Sequence, residues 1–331
     1  MGAVGDMLFS SKECLENKKN SRSVLLSLIE EKDNNYIQHQ SCISYVMSLL
    51  PFLLICLIHF LIRIHGYYIG DLFLIICYLC SFFFFILCYY DSYIIYVLFV
   101  LFSYIISLCL HEFAHAYAAY KYGDITMVYK GYLYLDIFNY LDIFHTLIIP
   151  IITLLITGFG LPGNLYWLQV HFIRSKFHLS LIYLSGPISD ILYILLLVSF
   201  YTFYTYLKNN KNLNVQHRSI IFISIATTVA FLVESFILNL CPILGFDGWG
   251  IIEPYLPFFL NNLINEEIVY TYLSYIFPLI IFIYFNFLES KYLFFTKITN
   301  YILKKILRID VSHITKGVEY FPTLYSYLKN T

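Results

Sequence analysis

Charge is what this sequence has least of. Only 12% of its 331 residues are Asp, Glu, Lys or Arg and 60% are hydrophobic, whereas ordinary soluble domains are about a quarter charged. That deficit excludes a conventional water-soluble globule and leaves a polytopic membrane protein. The net charge of −1 gives no basis for gripping nucleic acid, so the 33 Tyr and 31 Phe are read as lipid-facing and interfacial packing. The eight cysteines are scattered, mostly inside apolar runs where they act as small hydrophobes. Cys77 and Cys80 form a CxxC, but within an expected span, which argues against a redox or zinc pair. Residues 1–42 contain no apolar core long enough for a cleaved signal peptide and read as a polar extramembrane tail. The chain shows no internal repeat and no linker dividing two folded domains.

What is present is a succession of long apolar runs. Expected spans cover about 43–62, 72–90, 93–122, 179–207, 220–240 and 269–288, with a shorter run at 146–157 that reads as tilted or re-entrant. Lys-rich stretches at both ends place both tails on one side of the membrane, which demands an even number of crossings. The seven runs therefore become six or eight crossings. Between Gly123 and His145 the pattern changes: Tyr132, Leu133, Tyr134 and Leu135 lack helical spacing and lie between Gly131 and Asp136, a strand-like signature. The expected fold is an all-α polytopic membrane protein of six to eight transmembrane helices with a short strand-like or re-entrant segment near 124–145. Its organisation is a tail at 1–42, a transmembrane domain at 43–290 and a basic C-terminal tail at 291–331.

The chemistry concentrates in LCLHEFAHAYAAYKYGD, residues 108–124. His111 and His115 are four apart, so on a helix both imidazoles leave the same face, as two ligands of one ion must. Glu112 beside them is a carboxylate within reach of a reacting water. Ionisable side chains in a lipid-spanning run are costly and mostly functional. Catalytic zinc usually takes three protein ligands, and Asp247 is the best supplier of the third. It lies in NLCPILGFDG, residues 239–248, where Pro242 and Gly245 disturb the helix and can bring a carboxylate inward at membrane depth. His145, His171 and His178, in or beside loops, read as structural, and Glu234 stays outside the expected site.

HEFAHAYAAYKYGD, GYLYLDIFNYLD, LSGPISD and NLCPILGFDG, in this order between about Ile94 and Ile252, resemble the motifs of the site-2 protease family of intramembrane zinc metallopeptidases, in its compact branch. The resemblance implies one catalytic zinc ion held by His111, His115 and Asp247, with Glu112 as general base. It makes Asn239, which opens the third motif, a candidate for holding the substrate backbone. Two motifs depart from the family pattern. Asp190 ends the Gly-Pro motif where Asn is usual, and an ionised Asp cannot donate a hydrogen bond. Asp136, Ile137 and Tyr140 stand where an Asn-Pro pair and a His are frequent.

The expected function is a zinc-dependent intramembrane endopeptidase that cuts transmembrane segments of other membrane proteins. Its partners are those substrates and the bilayer, with an upstream protease acting first on the same substrate as a further candidate. An unwound substrate could add as a strand at Tyr132–Leu135. Two alternatives belong to other classes: a membrane-embedded binding protein that has lost turnover, with Asp190 as its support, and a metal transporter. The expected location is an internal membrane such as Golgi or endoplasmic reticulum, with an organellar membrane as the second choice.

Overall fold

The computed structural model describes residues 71–87, 93–134, 172–173, 175–209, 219–257, 276, 280 and 293–317. In chain order these form α1 (Asp71–Leu87), α2 (Tyr93–Lys121), α3 (Thr126–Tyr129), α4 (Lys176–Asn209), α5 (Ser219–Asn239), α6 (Asp247–Ile252) and α7 (Leu293–Tyr301). A 3-10 turn at Glu253–Tyr255 follows α6, and a π-helical turn at Ile302–Ile306 follows α7. Three helices are long and apolar enough to cross a membrane by length and composition: Tyr93–Lys121, Lys176–Tyr206 and Ile220–Asn239. α1 is shorter, 17 residues, against the roughly 20 a crossing needs. The expected spans at 43–62, 146–157 and 269–288 lie outside the described residues but for Ile276 and Ile280. Six to eight crossings therefore reduce, among the described residues, to three candidate spans in a mainly helical chain.

α5 sits at the centre. From Ile220 to Val233 its side chains are buried all round, as expected of a helix with apolar residues on each face, and α2, α4 and α7 pack against it. α2 turns one stripe inward, Tyr96, Val100, Ser103, Ser107 and His111, at the three- and four-residue steps that keep side chains on one helical face. α4 answers with Ile182, Asp190, Tyr193, Leu197, Tyr201 and Tyr204, while Ile188, Ile191, Leu192 and Leu195 are exposed on its outer side. That division gives α4 one face for the bundle and one for lipid.

The strand-like expectation at Tyr132–Leu135 is not met in its described part. Asp124 is fully buried and its side chain accepts from the Thr126 N–H at 3.0 Å, starting α3. The chain then closes local turns: Gly131 N–H to Val128 O, Tyr132 N–H to Met127 O and Tyr134 N–H to Gly131 O. Gly131 takes φ +73°, a conformation that glycine adopts at little cost. The Tyr132 and Tyr134 N–H groups are thus satisfied within the turn, so the described part of this segment is a turn and not a strand. Leu135 to His145 lie outside the described residues.

Part of the basic C-terminal stretch belongs to the packed bundle. Leu303, Ile309 and Ile314 are buried in the main core, and fully buried Tyr96 of α2 donates to Gly317 O at 2.9 Å. Tyr96→Phe orphans that carbonyl in the interior and is expected to cost about 1–3 kcal/mol. Thermal unfolding of the purified chain in detergent checks this, and an unchanged midpoint would show the contact to be dispensable.

Candidate metal centre

The seam between α2 and α4 builds most of the site. Contacts along it run in opposite directions on the two helices: His115 meets Ile182, His111 and Ser107 meet Asp190, and Ser103 meets Tyr193. The helices are therefore antiparallel, with contacts one turn apart along α2. Gly186 lies within this ladder. A Cβ at that position would stand 2.2 Å from His115 Nε2 and 2.6 Å from His111 Nε2, so only glycine lets α4 pass this close to both imidazoles. Pro187 follows it inside the helix and removes one backbone donor there.

Asp247 arrives from a different direction. After Asn239 the chain leaves α5 through Cys241, Pro242 and Gly245, whose φ is +92°, and turns back so that α6 begins beside the end of α5. Asn239 clamps the reversal from both sides. Its Oδ1 accepts from the Asp247 backbone N–H at 3.2 Å and its Nδ2 donates to Asp247 Oδ2 at 2.6 Å. Gly248 makes the return possible, since a Cβ there would lie 2.3 Å from Leu240 O and 2.4 Å from Cys241 O.

Three donor atoms converge as a result. His115 Nε2 is 3.0 Å from His111 Nε2, and Asp247 presents Oδ2 to His111 Nε2 at 3.1 Å and Oδ1 to His115 Nε2 at 3.2 Å. All three side chains are buried and form a group that could hold one metal ion. The other ring nitrogens settle what this group wants. His111 Nδ1 meets Asp190 Oδ2 at 2.8 Å and His115 Nδ1 meets the Ile182 carbonyl at 2.7 Å. Both partners only accept, so each Nδ1 carries the proton and each Nε2 turns a lone pair inward. Two imidazole lone pairs and a carboxylate this close are partly offset by Asn239 Nδ2, which faces His111 Nε2 and Asp247 Oδ2, and a cation between them would relieve the remaining repulsion. The spacings are a few tenths of an ångström short of the about 3.4 Å edge of a tetrahedral zinc sphere, and two His with one carboxylate form a zinc set. The donor set therefore fits one zinc ion.

Glu112 is buried on the same helix, and its Oε1 finds no hydrogen-bond partner among the described residues. A carboxyl oxygen held out of water without a partner is costly and is suited to meeting a proton or a water during reaction. The turn after α3 folds back toward it: burial, and secondarily the Glu112 charge, push the Tyr132 phenol above its ordinary range. A cavity of about 20 Å³ is lined by Ser107, His111, Asp190, Ser235 and Asn239 among others, room for about one water.

The structure thus brings His111, His115, Asp247, Asn239 and Glu112 to one region, from positions more than a hundred residues apart. Sequence reasoning missed the use of Gly186 and Asp190. Both lie in LSGPISD, a motif visible in the sequence, but their roles depend on the α2–α4 register. His178 stacks on Tyr122, with centroids 4.4 Å apart, in keeping with a structural role; His145 and His171 lie outside the described residues. Glu234 in α5 is half-buried and is not part of the metal group.

Known proteins resemble this chain over part of its length. "Putative zinc metalloprotease Rip2" of Mycolicibacterium smegmatis is 31% identical over 150 residues, which cover 45% of this chain and 54% of the relative. The protein of the same name from Mycobacterium tuberculosis matches with the same identity and coverage. "Putative zinc metalloprotease YwhC" of Bacillus subtilis is 28% identical over 151 residues, 46% of this chain and 66% of the relative. The chain spans about half the length of the Rip2 relatives it matches. No family model and no solved structure matches. The resemblance read from the motifs is borne out to this extent: relatives of the chain are named as zinc metalloproteases, and its own residues form a group able to take one zinc ion.

Proposed function

From this homology to bacterial zinc metalloproteases, we propose that the chain is an intramembrane zinc metalloendopeptidase of the site-2 protease type. Its substrates are membrane proteins cut within a transmembrane segment. The observation that carries the reading is the convergence of His111, His115 and Asp247 between apolar helices, with Gly186 holding α4 clear of them.

His111, His115 and Asp247 would hold the zinc ion, which when bound would supply Lewis-acid polarisation and a water acidic enough to react near neutral pH. Glu112 takes a proton from the attacking water and delivers it to the departing amine, a role open to its unpartnered oxygen. Asn239 fixes the Asp247 carboxylate with one amide N–H. Its amide nitrogen also faces His111 Nε2 at 3.2 Å, which makes it a candidate donor to a scissile carbonyl at this group. The apolar walls of α2, α4 and α5 keep bulk water from competing. A helical substrate must unwind before its peptide bonds are reachable, and an upstream protease that first trims the substrate is a compatible partner. The relatives are bacterial and lend nothing to a Golgi or endoplasmic reticulum location, so the reading of compartment stops at a membrane.

The test is cleavage of single-span substrates by the purified full-length chain in lipid vesicles. Cleavage is expected to stop when the protein is stripped with a chelator and to return on adding zinc. Cleavage indifferent to chelation, or zinc loading without any cleavage, overturns the proposal; the second result favours the binding-protein reading.

A further inference from the structure

We propose that Asp190, where the related pattern has Asn, is the positioning residue that locks His111 as a zinc ligand, so that the working unit is Ser107–Asp190–His111. This rests on the reading of the site as a zinc centre and adds to it the residue that orients one ligand.

The argument begins with the register of α4. Asp190 is one turn beyond Gly186, and Gly186 lies against both imidazoles, so its side chain reaches the far edge of the His111 ring rather than the side shared with His115 and Asp247. There its Oδ2 is 2.8 Å from Nδ1, and its Oδ1 accepts from Ser107 Oγ at 3.3 Å. Ser107 and His111 are themselves one turn apart on α2, so both oxygens of one carboxylate are bound to a single helical face. The residue is buried, and the protein atoms it meets here are donors.

Asn would not do the same. A carboxylate has no hydrogen to give, so it admits only the tautomer with the proton on Nδ1 and the lone pair on Nε2. A carboxamide can rotate and present its N–H₂ to Nδ1, stabilising the opposite tautomer, in which Nε2 carries hydrogen and cannot bind a metal. The bond to a carboxylate is also the stronger one, being charge-assisted, and it raises the basicity of the ring. Asp at this position therefore serves ligand orientation through His111, and it no longer counts as a sign of lost turnover.

The experiment measures zinc affinity by chelator competition on the full-length chain in detergent, for wild type, Asp190→Ala, Asp190→Asn and Ser107→Ala. Loss of the carboxylate in Asp190→Ala is expected to weaken zinc by about 10- to 100-fold, with Asp190→Asn between it and wild type and Ser107→Ala the mildest. The visible spectrum of the cobalt-loaded protein should shift in both Asp190 variants, which a purely structural role would not produce. Asp190→Asn is nearly isosteric and carries the test should Asp190→Ala not fold. Zinc affinities of both Asp190 variants within about twofold of wild type, with unchanged cobalt spectra, overturn the inference and leave the zinc reading intact. A wild-type chain that binds no zinc overturns both.

Discussion

Glu112→Gln leaves zinc bound and slows peptide-bond cleavage by about 100- to 10,000-fold, the span that general acid–base catalysis contributes. The substitution keeps the shape of the side chain and its place on α2 between the two histidines. It removes only the ability to take up and return a proton. The native carboxylate is buried with Oε1 unpartnered among the described residues, so no hydrogen-bond network holding the fold is cut at that atom. Single-turnover cleavage of a single-span substrate, with zinc content measured on the same preparation, separates the two effects. Equal cleavage by wild type and variant would remove Glu112 from the chemistry, and loss of zinc together with activity would recast it as a structural carboxylate.

Gly186→Ala empties the metal site. The added methyl would stand 2.2 Å from His115 Nε2 and 2.6 Å from His111 Nε2, far inside the roughly 3.5 Å at which carbon and nitrogen rest against each other. Neither imidazole can easily retreat, because each Nδ1 is tied, one to Asp190 and the other to the Ile182 carbonyl. Zinc per chain should fall from about one to near zero, and cleavage should fall to background. Helix content by circular dichroism should change little, since alanine suits a helix better than glycine does. Ile188, two residues on and exposed, provides the control: Ile188→Ala should keep both zinc and activity. Full zinc occupancy in Gly186→Ala would mean that α4 stands further from the histidines than this packing requires.

The parts of this molecule that could be read before folding are those set by local spacing. His111 and His115 share a face because four residues nearly complete a helical turn, and α2, α4 and α5 announce themselves as long, mainly apolar runs. Asp247 was accessible because Pro242 and Gly245 mark a break where a carboxylate can turn inward. Asp190 and Gly186 were visible as letters of a motif, but what they touch depends on which turn of α4 faces which turn of α2, and one chain segment alone does not specify that. Tyr132 to Tyr134 misled for a related reason. Aromatic and aliphatic residues without helical spacing suit a strand, yet Asp124 and Gly131 close the backbone on itself first. The stretch around Leu303, Ile309 and Ile314 is rich in apolar residues, but Lys304, Lys305, Arg308 and Asp310 interrupt them, so no apolar run there is long enough to mark a span.

The turn that returns Asp247 to Asn239 has a mechanical consequence. An ion bound there joins α2 to the start of α6, positions more than 130 residues apart in the chain, and so acts as a cross-link of the kind a disulfide provides elsewhere, with its greatest effect on long intervening loops. The free energy of capturing the cation then becomes part of what keeps the helices assembled, and the candidate metal centre serves as a rivet of the fold that houses it.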